Sequence, residues 1–507
     1  MEWLTNMRAF KKRPHGSTSI IGKDLNSYVS VMNNFEKRPL HSVAKDFFSY
    51  LGKHLPQQCA SDEFYFFPRS EFAIQYLDNL DDFNPEKIQD HIRYVQGLLN
   101  EIPPDELDNL EKETDRIILK QSMESFIREF QDEEVWKKDP TLYLKIPFLA
   151  TDHIISQADS SPVRLKESLL TLFTRIPSFL NLSFNNLRSL SEISLVVALG
   201  MTRDALYFYN HDIRAFIEEK LGSDKILLAE NTKVLQAWEQ YRERLLHIQP
   251  VQSFAIGENS LKKILSTSLN YPKSCREIQE IAQHAYHKTI EKLNGLAKKI
   301  DSNRSWEAII YDRPTSASSQ IEILQLYKRE VQNLRRFFNS MDIITFPSEE
   351  NISVLETPSY LQTLRATASY KAPLTGITKG HGIFYITPGK ERLELISNHC
   401  PYLSAHETYP GHHILDHIRI HHPNPIRRQI ESPLFYEGWA CYAEQLLDEL
   451  GYVCDPRQQL VGLKRQLWRC LRAVLDVELQ TGKITLTEGA KKIEEIGFSS
   501  GTARRQI

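Results

Sequence analysis

The sequence predicts a mainly α protein: a large helical bundle enclosing a deep cleft, with a small antiparallel β patch. Three observations lead there. Glycine and proline are sparse, at 20 and 24 of 507 residues, which favours helices over a turn-rich β fold. Apolar residues recur at helical spacing over Leu187 to Leu221, Ile278 to Ile300 and Ile321 to Met341. Short, β-branched, proline-punctuated segments are confined to residues 342–388, where YKAPLTGITKGHGIFYITP reads as turns leading into a strand.

Taken in order, most of residues 1–340 alternates helical patterns with short polar breaks. Pro140 to Phe148 (PTLYLKIPF) stands out as a candidate extended stretch. Helical patterning returns from Ser404 and runs to about Ile496. The organisation that follows is a helical scaffold over 1–340 and a catalytic segment over 341–507, forming one continuous unit without a linker.

Composition narrows the function classes. Net charge is −3 and charged residues make up 25%, so neither a nucleic-acid groove nor a basic membrane face is expected. No window holds 18 consecutive apolar residues, so no transmembrane helix is expected. The first residues, MEWLTNMRAFKKRPHGS, carry no apolar run behind their charges, so no secretory signal is expected. Six cysteines, none in a CxxC pair, fit a reduced, cytoplasmic chain. Oligomeric state is left open.

The chemistry concentrates in SAHETYPGHHILDH, residues 404–417. A zinc hydrolase needs neutral imidazoles, a carboxylate and an open fourth position for water. The common arrangement, HExxH, places two histidines one helical turn apart, with the glutamate over the water. Here His412 follows His406 by six residues, about 600° of ideal helix, and the rings would diverge. Pro410 and Gly411 relieve this. Proline cannot donate to the carbonyl of His406 and clashes there, Tyr409 is pushed off α geometry, and glycine accepts the resulting backbone. A kink or bulge then returns His412 to His406. Glu437, in PLFYEGWACYAEQLLDEL, is the acidic third ligand, and Glu444, two turns on, suits a partner for a ligand histidine. The plain alternative for His406 and His412 is a pair of core histidines. His413 and His417, four apart, with His421 continuing the face, read as a polar, partly solvated helix face or as a second zinc pair.

HETYPGHH followed by EGWACYAE resembles the signatures of the domain-of-unknown-function 885 (DUF885) family, which looks like a divergent zincin metallopeptidase branch with glutamate as third ligand. DIITFP, ETPSYL and HGIFYITP match its pattern upstream, and RCLRAVLD matches its Arg-x-x-Arg-x-x-x-Asp segment at Arg469, Arg472 and Asp476. The resemblance implies a zincin-like active-site helix, His406, His412 and Glu437 as ligands, and Glu407 as catalytic carboxylate. Gln480 stands where the family usually has histidine, and the family pattern continues past Ile507.

Further candidates follow from residue type. Tyr442 is a possible donor to a developing oxyanion. Arg469 and Arg472 read either as an ion-pair network with Asp476 or as a clamp for a substrate carboxylate. His381, between two glycines, is a candidate substrate contact. Tyr385 reads first as sheet packing and is kept as a second such contact. Cys441 reads as a small buried hydrophobe. A strand edge in the patch around Ile383 to Ile386 could hold an extended peptide. The expected function is Zn²⁺-dependent hydrolysis of peptide or related amide bonds. The alternatives are a zinc-binding scaffold without turnover and an amide hydrolase acting on a small metabolite.

Overall fold

Helix starts in this chain carry explicit chemical signals. Ser274 and Glu277 form a reciprocal capping box at the start of the helix Cys275–Ile300. Asp139 accepts the Thr141 N–H, with Pro140 at the first helical position, at the start of Pro140–Ile155. The computed structural model describes residues 38–507, except 106–107, 157–160, 252, 313–316, 318, 348, 359–360, 363–364, 366, 374–380 and 388–392. Its longer N-terminal helices are α1 Leu40–His54, α2 Pro85–Glu101, α3 Leu110–Ile127, α4 Pro140–Ile155, α5 Pro162–Asn186, α6 Glu192–Tyr207 and α7 Lys225–Leu246. Then come α8 Cys275–Ile300, α9 Gln320–Met341, the strands β1 Asn351–Glu356, β2 Ala368–Lys371 and β3 His381–Ile386, and, among the described residues, six further helices besides the short Pro425–Gln429. These are α10 Leu393–Glu407, α11 His412–Ile420, α12 Pro433–Glu449, α13 Pro456–Gln480, α14 Leu486–Glu495 and α15 Ser500–Gln506, with shorter turns between elements.

The mainly helical expectation holds, with local corrections. Pro140 to Phe148 is helical, as the first half of α4. Nearly every residue of α4 is buried, so it is apolar all round and shows no 3.6-residue rhythm. Leu187 to Leu221 is not one helix: α6 runs into a π turn at Phe208–Asp212 and then a short helix, Ile213–Lys220. Helical structure in the C-terminal segment resumes at Leu393, ahead of Ser404.

The β patch is a mixed sheet, not an antiparallel one. Its order is β1-β3-β2, with β1 parallel and β2 antiparallel to β3. Ile383 to Ile386 therefore belong to the central strand, both of whose edges are paired, and strand addition at that stretch is excluded.

Two large apolar clusters, with a small third one around Leu261, Cys275 and Val477, hold the described residues together. One fills the N-terminal helices around Phe47, Tyr143 and Trp238 and takes in Tyr385 from β3. The other gathers α9, β3, α10 and α13 around Tyr327, Phe384, Tyr402 and Leu467. Helix α10 packs on α9, α12 and α13, so its C-terminal end is fixed from several sides. Among the described residues, no helix is long and apolar enough to cross a membrane.

Candidate metal centre

Helix α10 ends at Glu407 and α11 starts at His412, so the expected kink is a full break between two helices. Thr408 keeps the α10 ladder through its N–H to the Ser404 carbonyl, at 2.9 Å. The Tyr409–Pro410 peptide is cis. The Gly411 N–H reaches back to the Ala405 carbonyl at 3.0 Å. A Cβ on Gly411 would stand 1.8 Å from the His406 carbonyl oxygen. Glycine is thus required by close backbone approach. The indole of Trp439, on α12, donates to the Pro410 carbonyl at 2.8 Å, tying the elbow to the helix that carries Glu437.

This elbow brings the three predicted ligands together. His406 Nε2 lies 3.6 Å from Glu437 Oε2, and His412 Nε2 lies 3.8 Å from Glu437 Oε1. One ligand atom from each residue falls within 4.8 Å of the others. Tetrahedral zinc with bonds of about 2.0–2.1 Å separates its ligand atoms by about 3.3 Å, so the set fits one ion after a small closure. The two imidazoles are buried, with ring centroids 4.7 Å apart. The Glu437 side chain is half exposed, so the triad opens to solvent on that side.

Both imidazoles are held from behind. His406 Nδ1 stands 2.9 Å from Glu444 Oε1. The Glu444 carboxylate is also gripped by Arg465 through two 2.8 Å bonds and by Arg469 at 3.0 Å. Burial opposes the His406 cation, but Glu437 and Glu444 carry its pKa up to about 9. Burial, reinforced by His406, pushes His412 down to about 3, leaving it in the neutral form that a ligand needs. Its ring stacks on Tyr436 at 4.0 Å. Tyr436 leans in turn on Asp416, which Arg69 and Arg419 neutralise.

Glu407 is buried beside the triad, and its Oε2 accepts the Tyr370 N–H of β2 at 2.9 Å. Burial drives its pKa up to about 7, against the pull of His406 and the Tyr370 N–H and with the push of Glu437.

A further buried network clamps the elbow. Glu350 accepts Tyr409 Oη at 2.6 Å, His413 Nε2 at 2.9 Å and Arg335 Nε at 2.6 Å. The expectation of a solvated face for His413 and His417 is thereby corrected: both are buried, because α11 is packed on this side and only His421 reaches solvent. A Cβ on Gly382 would stand 2.9 Å from His413 Nδ1, so β3 presses directly on this face.

The remaining candidates are spread more widely. Arg469 belongs to the Glu444 network. Arg472 does not: its guanidinium lies 5.7 Å over Trp468. Tyr385 is buried under the Arg365 guanidinium, as sheet packing requires. His381 Nε2 pairs with Ser353 Oγ across the β1–β3 ladder at 3.0 Å. Tyr442 is exposed on α12, with its ring against Trp439. Cys441 is half-buried between Glu437 and Glu444 in sequence.

Sequence reasoning missed Glu350, Arg465, Arg69 and the Tyr370 N–H. Arg465 had a usable signal, lying one turn before Arg469 on the same helical stripe. The Tyr370 contact is made by backbone and leaves no residue-type trace.

A family model described as "Bacterial protein of unknown function (DUF885)" matches residues 70–506. No curated protein matches the chain. Among solved structures, a candidate lipoprotein of unknown function from Shewanella oneidensis is similar at TM-score 0.68 and 16% identity, covering 92% of this chain and 89% of that one. A candidate lipoprotein from Colwellia psychrerythraea is similar at TM-score 0.75 and 16% identity, covering 92% and 88%. At such identity the likeness is one of fold.

Proposed function

The chain belongs to the DUF885 family, whose description assigns no activity, and from that premise we propose that it is a zinc-dependent, zincin-like hydrolase of peptide or related amide bonds. The observation that carries the reading is the break at Pro410–Gly411, which gathers His406, His412 and Glu437 within one ion's reach. A helix interruption that turns two histidines and a remote glutamate onto one point is difficult to explain by packing alone. His406, His412 and Glu437 would hold the metal. When bound, zinc supplies Lewis acidity toward the scissile carbonyl and lowers the pKa of water.

The protein's own groups supply the rest. Glu407 has Oε2 committed to the Tyr370 N–H, which leaves Oε1 to take a proton from water and deliver it to the leaving amine. Glu444 fixes the His406 ring so that Nε2 faces Glu437. At Tyr370 the edge of β2 offers a substrate no backbone group, since the N–H goes to Glu407 and the carbonyl to Arg365 at 3.1 Å.

Metal analysis and one substitution test the proposal. The purified protein is expected to carry about one equivalent of zinc, with His412→Ala and Glu437→Ala each losing most of it. Glu407→Gln is expected to keep zinc while kcat falls about 10²- to 10⁴-fold on a peptide found by library screening. Full zinc retention in both ligand variants would refute the ligand set. A zinc-loaded wild type that turns over no peptide or small amide would favour the scaffold alternative.

A further inference from the structure

Helix α3 lays one stripe of side chains, Ile118, Gln121, Ser122 and Ser125, along a groove of about 360 Å³ counting its open mouth. Phe67 and Ile430 add apolar surface to it, and the exposed Tyr65 stands at its mouth. Most polar groups of the stripe are spent. Ser125 Oγ donates to the Gln121 carbonyl at 2.8 Å, Gln121 Nε2 donates to the Ser268 carbonyl, and Ser268 Oγ accepts from Arg128 Nε at 2.9 Å. Ser122 is different. It is 7% exposed, and among the described residues its Oγ has no hydrogen-bond partner, not even the carbonyl one turn back that helical serines commonly use. A buried hydroxyl left without a partner is a standing cost, and its place in the stripe aims it into the groove. Glu431, also in the lining, is paired with Arg69 at 3.0 Å and Arg419 at 3.7 Å.

The groove opens beside the candidate metal centre. Its lining residue Pro433 and the ligand Glu437 are one turn apart on one face of α12, about 6 Å along the axis. Glu437 is the half-exposed ligand, so this is the side on which the triad meets solvent. Tyr65 links the two: partial burial and then the Glu437 charge raise the pKa of its hydroxyl, so the phenol at the groove mouth lies within electrostatic reach of that carboxylate. An extended peptide advances about 3.3–3.6 Å per residue. A backbone held at the triad therefore brings a side chain to the groove within about two residues of the scissile bond.

We propose that this groove is a substrate subsite for a tyrosine side chain close to the scissile bond, with the ring among Phe67, Ile118 and Ile430 and the phenol hydroxyl bonded to Ser122 Oγ. The proposal rests on the hydrolase reading above and narrows its substrate class. Aromatic and branched walls take a flat ring in stacked or edge contact. Phenylalanine fills the same walls but leaves the Ser122 hydroxyl unpaired, so the serine ranks tyrosine above it. An acidic side chain finds no cation in the lining, and a basic one has to compete with Arg69 and Arg419 for Glu431.

Alanine hexapeptides carrying one tyrosine or one phenylalanine at each position in turn test this. Zinc-loaded wild type is expected to cut within about two residues of the aromatic side chain, with kcat/KM about 3- to 10-fold higher for tyrosine, the net worth of one neutral hydrogen bond. Ser122→Ala is expected to erase the tyrosine preference while the phenylalanine kinetics and zinc content stay unchanged. A serine that only supported the fold would lower both alike. No tyrosine preference in wild type, a preference that survives Ser122→Ala, or equal losses on both peptides overturns the proposal. A binding arm separates this inference from the hydrolase reading. The same peptides, dye-labelled, are titrated by anisotropy into the Glu407→Gln protein with and without Ser122→Ala. If nothing is cleaved, tighter binding of tyrosine than of phenylalanine at one position, lost in Ser122→Ala, still supports the groove, and equal or absent binding of the two overturns it.

Discussion

His153, on α4, shows how burial fixes protonation away from the candidate site. Gln57 Nε2 donates to the carbonyls of Leu77 and Asn79, so its Oε1 is left to accept, and the 2.9 Å contact with His153 Nδ1 places the proton on that nitrogen. Burial, helped by Lys371, lowers the His153 pKa from 6.5 to about 4. The folded state therefore binds this proton less readily than the unfolded chain does. The stability it contributes is complete above pH 6.5 and is lost as pH falls toward about 4, by about 3 kcal/mol at about 1.36 kcal/mol per pKa unit. His153→Gln is expected to remove this slope. Urea unfolding between pH 4 and 7 should show the wild type losing up to about 3 kcal/mol more than the variant on acidification. Parallel curves would refute the assignment. At this scale the candidate ligands were legible because imidazole and carboxylate at telling spacings announce their chemistry. Glu350 was not, since one glutamate in a polar turn looks like any other until Tyr409 and His413 fold onto it.

The elbow between α10 and α11 is the element on which the ligand geometry turns. Its need for glycine could be read from the sequence as backbone tolerance. The actual cause, contact with the His406 carbonyl, needed coordinates. Gly411→Ala is expected to force the two helices apart. Overpacking of this kind costs about 1–3 kcal/mol, so zinc affinity measured by chelator competition should fall on the order of 10-fold or more while helix content by circular dichroism is nearly unchanged. Unaltered affinity would show that the elbow yields without disturbing His412. The periods of α8 and α9 were legible because each buries one face. Helix α4 was not, because burial on all sides erases the polar stripe that marks a helix. The parallel pairing of β1 was also hidden, since strand direction depends on what lies between the strands and not on the strands themselves.

Buried ion pairs stitch the N-terminal part of the described chain to the later segments. Arg69 meets Asp416 at 3.2 Å and Glu431 at 3.0 Å, Arg365 meets Asp62 at 3.1 Å, and Lys371 meets Asp152 at 2.6 Å. None of these long-range partners was legible from sequence, because charge alone does not choose among so many acids. Removing one member of such a set strands its partners in a dry environment, typically at about 3–5 kcal/mol. Arg419 still faces Asp416 and Glu431 when Arg69 is lost, so Arg69→Met is expected near the lower end, about 3 kcal/mol, in urea unfolding. A loss below about 1 kcal/mol would mean that Arg419 alone neutralises both acids.

The short strand β2 forms one margin of the three-stranded sheet, and such margins ordinarily invite another chain to pair with them. At Tyr370 both outward main-chain groups are already occupied, the N–H by Glu407 and the carbonyl by Arg365. The carboxylate assigned to proton transfer thereby has a second effect, shared with a buried arginine: together they leave a neighbouring molecule no free backbone at that residue on which to begin a ladder. Protection against edge-to-edge association is in this way built into the same few atoms that shape the candidate site.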